Sequence, residues 1–309
     1  MSRPGGKKQF PGGLTILLIT LAGLLAVAVF FALLAVTACA AAAPRHDPEP
    51  IELQQTTLDA FEVYVRLTDK RNDDELRTGT PYFWIDGLPE ADRQEAYAQL
   101  RGGQVRIERL STLQDGQPVK CPDGLIHHWV AVIFIPGATL EQTLRLIQDY
   151  DHHSIYYGPD VARSKVLERR GDDFKVYLRF HRKKIITVVL NTEHEIHYSP
   201  VDATHAHSRS VATRIAEVEN HDRPDEREKP IGNDGGYLWR MNTWWRFLGR
   251  DGGTYVQCES VSLTRTIPVG LGWLIGPFVN SIPRETLAAT LTATRTALTR
   301  KPTAGAPAQ

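Results

Sequence analysis

The sequence predicts an α+β fold: one curved antiparallel sheet covered by a long C-terminal helix and preceded by a helical extension. Three observations predict it. Between residues 126 and 266, apolar and β-branched runs recur and are broken by short turn segments. Leu140, Leu144 and Ile147 mark a helix early in that series, and Leu287, Leu291, Thr294 and Leu298 mark a long one after it. Before the series, residues 53–70 and 90–100 carry helical rather than alternating patterns, separated by an aromatic, turn-rich stretch over 81–89.

The elements follow in order. Leu58, Phe61 and Val65 predict a helix over 53–70, and a second runs over 90–100, entered through Pro89 and stopped by Gly102-Gly103. A short strand covers 104–110. Residues 126–135 are a buried strand, ended by Pro136-Gly137, and a helix covers 139–150. Strands are then predicted at 161–169, 174–181, 185–198, 204–218, 237–248 and 254–266. Gly171-Asp172-Asp173, Ser199-Pro200, the run 232–236 and Asp251-Gly252-Gly253 supply the turns. The charged run 223–229 reads as a solvated loop. The last helix enters through Pro283 and reaches about Arg300, and residues 302–309 read as a disordered tail.

The N-terminus reads as a targeting segment. Arg3, Lys7 and Lys8 precede an uncharged stretch from Phe10 to Pro44 whose apolar core is long enough to span a bilayer. Residues 1–43 are therefore expected to be a transmembrane anchor, a lipoprotein signal or a cleaved signal peptide. Val36-Thr37-Ala38-Cys39 resembles a lipobox, which makes Cys39 the lipidation candidate. All three fates put the folded part outside the cytoplasm, on the periplasmic or extracellular side. Residues 44–50, with Pro44, Pro48 and Pro50, form a stiff linker. Residues 51–120 form an N-terminal extension, and 121–301 the main domain.

Lys+Arg and Asp+Glu both total 36 in 309 residues, so nucleic acid is not expected as a partner. Cys121 and Cys258 either form a disulfide or are two separate buried thiols. His194-Glu195-Ile196-His197 is one residue short of a zincin motif and lies in a strand, so no metal site is expected. There is no nucleophile elbow and no phosphate loop, and neither a catalytic residue nor a cofactor is expected.

A hairpin centred on Val201 would set His197 against His205, Glu195 against His207 and Glu193 against Arg209. Its other face would carry Val188, Leu190, Ile196 and Tyr198 against Ala206, Ser208, Ser210 and Ala212. Small residues there either leave a cavity or admit the last helix closely. In the strand 237–248, Arg240, Asn242, Trp244 and Arg246 share one face. If that face is inward, Arg240, Asn242 and Trp244 line a cavity together with Ile196, Tyr198, Ser208, Ser210, Leu287 and Leu291. If it is outward, its arginines pair with Glu259 or Glu217.

The layout over 126–300 resembles the START-like, or SRPBCC, superfamily. Asp251-Gly252-Gly253 through Thr264-Arg265-Thr266-Ile267-Pro268, then Gly270-Leu271-Gly272-Trp273-Leu274-Ile275 and Ile282-Pro283-Arg284-Glu285, are similar to bacterial members with N-terminal signal sequences, as is Ile126-His127-His128-Trp129. The resemblance implies a helix-grip fold around a hydrophobic-ligand cavity and carries over no catalytic residue. The expected function is an extracytoplasmic, membrane-associated protein that binds a lipid or another hydrophobic molecule. A polyketide cyclase-like enzyme and a ligand-free envelope scaffold are the alternatives.

Overall fold

The computed structural model describes residues 50–183, 187–266 and 272–300, with the side chains of 272–280 excepted. Residues 1–49, including Cys39 and the expected anchor, and the tail 301–309 lie outside the described residues. No described helix is long and apolar enough to cross a membrane.

The main elements are α1 (Gln55–Thr78), α2 (Glu90–Arg101), β1 (Arg106–Arg109), β2 (Gly124–Pro136), α3 (Leu140–Gln148), β3 (Val161–Arg170), β4 (Asp173–Lys183), β5 (Thr187–Pro200), β6 (His205–Glu219), β7 (Arg240–Arg250), β8 (Gly253–Arg265) and α4 (Gly272–Thr299). The strands form one antiparallel sheet in the order β1-β2-β8-β7-β6-β5-β4-β3, with the short strand Arg227–Glu228 added beside β6. This is the helix-grip arrangement expected from the START-like resemblance.

Turn chemistry fixes the hairpins. Between β7 and β8 the two loop residues Asp251 and Gly252 have φ of 58° and 72°. A two-residue loop with both central residues left-handed matches the twist of the strands it joins, and Asp-Gly adopts it at low cost. The β5–β6 turn is longer than expected. The Asp202 carboxylate accepts from the backbone N–H groups of Thr204 at 2.7 Å and His205 at 2.9 Å, closing a wider loop. The register differs accordingly. His197 faces Arg209, Glu195 faces Val211 and Tyr198 faces Ser208. The difference from the expected hairpin is an even number of residues, so each side chain near the turn keeps its face. A bulge between Glu193 and His194 changes the pairing beyond it, and Leu190 faces Glu217 instead of a small residue.

The two sheet faces are covered by different parts of the chain. On the concave face, α3 and α4 bury Leu140, Ile147, Leu287 and Leu291 against Ala131, Ile133, Val256 and Phe247. On the convex face, α1 buries Phe61 and Tyr64 against Trp239, Trp244 and Val261. The segment through α2 buries Phe83, Ile85 and Leu100 against Phe134 and Tyr255. Two helices exceed their expected bounds. Helix α1 runs on to Thr78, and α4 begins well before Pro283. A proline removes one backbone hydrogen bond and need not end a helix.

Candidate functional site

Strand alternation decides what reaches the interior. One row across the concave face reads Phe174, Ile196, Ser210, Thr243, Ser260 and Trp129. The next reads Tyr198, Ser208, Trp245, Cys258 and Ala131. In the second row Trp245 stands between Ser208 and Cys258, but in the first Phe174, Ile196 and Trp129 flank a central band of small hydroxyl side chains. Such a band cannot fill the space that larger neighbours would.

Helix α4 packs mainly over β2 and β8, on one side of this face. Beside it, between α3, the outer strands and the C-terminal end of α4, lies a groove of about 1070 Å³. That is just above the usual range of about 300–1,000 Å³ for small-molecule sites. Its rim carries the exposed Glu141, Arg145 and Arg169, and its wall carries Leu144, Val166 and Leu298. At its inner end the hydroxyls of Tyr150 and Tyr198 are 2.7 Å apart, both rings packed on Phe174. Burial pushes both phenol pKa values up, so both stay neutral. Two neutral hydroxyls share one hydrogen bond and leave one O–H proton for a further acceptor.

The same face holds two buried histidines. The ring Nε2 of His194 lies 2.9 Å from Thr192 Oγ1, and that of His127 lies 3.0 Å from Thr264 Oγ1. Burial lowers each pKa to about 4. Both are therefore neutral hydrogen-bonding groups at ordinary pH. His197 lies on the opposite face from His194: it is exposed, with Nδ1 2.7 Å from Asp173.

Of the residues expected to line a cavity, Ile196, Tyr198, Ser208, Ser210, Leu287 and Leu291 lie on the concave side, and Tyr198 borders the groove. Arg240, Asn242 and Trp244 do not. Their face is convex and covered by α1, so they are corrected out of the cavity. Trp244 Nε1 donates to Asp69 at 2.8 Å, the Arg209 guanidinium lies over the Trp244 ring, and Asn242 accepts from Arg209 at 2.8 Å. Arg240 donates to the carbonyl of Trp239 at 2.8 Å. Cys121 and Cys258 are free thiols, so no disulfide joins them. Cys258 sits in the concave core and Cys121 packs on the convex cluster, on opposite sides of the sheet.

Sequence reasoning missed a buried charged cluster between α1 and the convex face. Arg246, 1% exposed, donates to Asn72 Oδ1 and Glu75 Oε2, each at 2.6 Å, and to the carbonyl of Tyr82 at 2.6 Å. Glu259, equally buried, accepts from Arg71 and lies 2.7 Å from His128 Nε2. His128 Nδ1 is 2.9 Å from the Tyr64 hydroxyl, which accepts from the backbone of Thr112 at 2.8 Å. Desolvation works to raise the Glu259 pKa, but the His128 hydrogen bond and the Arg71, His128 and Arg246 charges outweigh it, and the carboxyl is held below its ordinary range. Glu259 was an expected partner for an outward-facing arginine. Its surroundings could not be seen in the local pattern, because Arg71 lies 188 residues away.

No family model matches the chain, and no curated protein matches it. Solved structures do. A STAR-related lipid transfer protein of Xanthomonas axonopodis is 16% identical, with a TM-score of 0.40 over 63% of this chain and 99% of its own. The ZhuI aromatase/cyclase of a Streptomyces is 11% identical, with a TM-score of 0.38 over 59% and 100%. A human lipid transfer and protein localization domain is 8% identical, with a TM-score of 0.38 over 70% and 98%. At these values the likeness assigns no ligand and no chemistry to this chain.

Proposed function

We propose that this protein binds a lipid or a similar elongated hydrophobic molecule in the groove beside α4. The observation that supports this reading is a groove of about 1070 Å³ that runs from a charged rim to a buried pair of tyrosine hydroxyls. An amphiphile would place its chain against Leu144, Val166 and Leu298 and an acceptor atom near Tyr150 and Tyr198. Burying roughly 300 Å² of apolar ligand surface contributes about 7 kcal/mol before the costs of association. The proposal includes attachment to a membrane through residues 1–43, with the domain on the outer side.

The test uses the full chain purified in mild detergent. Native mass spectrometry should detect a co-purifying lipid, and a fluorescent fatty acid should bind and be displaced by unlabelled lipid. Ala297 lies on α4 at the groove wall and is half-buried. Ala297→Trp should fill the groove, weakening the probe at least tenfold with little change in Tm. Failure of the probe to bind, or equal binding by the variant, would remove the basis for the reading.

A further inference from the structure

We infer that the convex side carries a zinc site, distinct from the groove, formed by His181, His221 and Asp222. Their candidate ligand atoms all lie within 4.8 Å of one another. His181 is near the end of β4, whereas His221 and Asp222 lie in the loop that follows β6. The two rings meet edge to face with centroids 5.8 Å apart.

The loop is fastened to the strand that supplies the first ligand. Arg179 lies two residues before His181 and so shares its face. Its guanidinium holds both oxygens of Glu226, at 3.0 and 2.8 Å. Glu226 in turn accepts the backbone N–H of Asp222 at 3.0 Å, and Asn220 donates to Asp225 at 2.8 Å. This bidentate clamp sets the loop over β4 and brings two imidazoles and a carboxylate to one point. Among the described residues, none of these three side chains has a hydrogen-bond or ion-pair partner in the protein.

The donor set narrows the ion to the transition metals, and zinc is the one proposed. Two imidazole nitrogens and one carboxylate suit zinc, whereas calcium and magnesium take oxygen ligands. Metal–ligand distances of about 2.0–2.2 Å in tetrahedral geometry place ligand atoms roughly 3.4 Å apart. The half-exposed rings and the exposed carboxylate can close that difference by side-chain rotation alone. Three protein ligands leave a fourth position for water.

The experiment uses the full chain in detergent, without a histidine tag and stripped of metal. Titration calorimetry with zinc should show one equivalent bound. Cobalt added in its place should give the visible absorption of a tetrahedral ion. His221→Ala, in an exposed loop, and His181→Ala should each weaken zinc at least tenfold and abolish the cobalt spectrum. His197→Ala, whose ring is held by Asp173, should leave both unchanged. No stoichiometric binding, or several weak equivalents insensitive to His181→Ala and His221→Ala, would overturn the assignment.

Discussion

Glu259→Ala is expected to destabilise the protein by about 3–5 kcal/mol, the range for removing one partner of a buried ion pair. The substitution leaves His128 without its carboxylate acceptor and Arg71 without one of its two. His128, 2% exposed on β2, cannot reach water without moving that strand, whereas Arg71 is already partly exposed and keeps Glu75. The expected fall in Tm is roughly 10 °C, measured by thermal denaturation. Glu259→Gln keeps the shape and one acceptor oxygen, and should lose less. A Tm for Glu259→Ala within 2 °C of the wild type would show that the cluster contributes little.

Acidification is the second large effect. His127, His153 and His194 are buried, and burial lowers each pKa from 6.5 to about 4, with a partial offset for His153 from the Ile147 carbonyl and Asp149. In the unfolded chain these rings take up protons near pH 6.5, but in the folded chain only near 4. The unfolded state therefore holds more protons throughout that window, and stability falls as pH drops through it. Above 6.5 the three rings are neutral in both states and contribute no pH dependence. At pH 5 each costs about 2 kcal/mol relative to neutral pH. Urea denaturation at pH 7.5 and pH 5 should differ by several kcal/mol, and His194→Gln should shrink the difference. A flat profile between these pH values would contradict the burial of all three.

Much of the architecture was legible because its signals are local. Asp251-Gly252 names its own turn, and the β-branched runs on either side name their strands. The concave face near the β5–β6 turn was read correctly through a wrong register, since alternation survives any even displacement. The convex face was not legible. Its covering helix uses Asp69, Arg71, Asn72 and Glu75 as a packing surface, and these contribute nothing to an apolar stripe. Hydrophobic spacing thus reported only the stretch around Phe61 and Tyr64. Once an arginine-bearing strand can find carboxylates on a distant helix, alternation alone cannot say which of its faces looks inward. The same limit hid the His181–His221 pair, because strand and loop meet only when Arg179 grips Glu226.

The two reduced sulfurs have a practical consequence. With a thick β-layer between them, folding of the described residues calls for no disulfide between Cys121 and Cys258. For residues 50–300, a reducing cytosol rich in glutathione should therefore yield the same packing around these two thiols as an oxidising envelope.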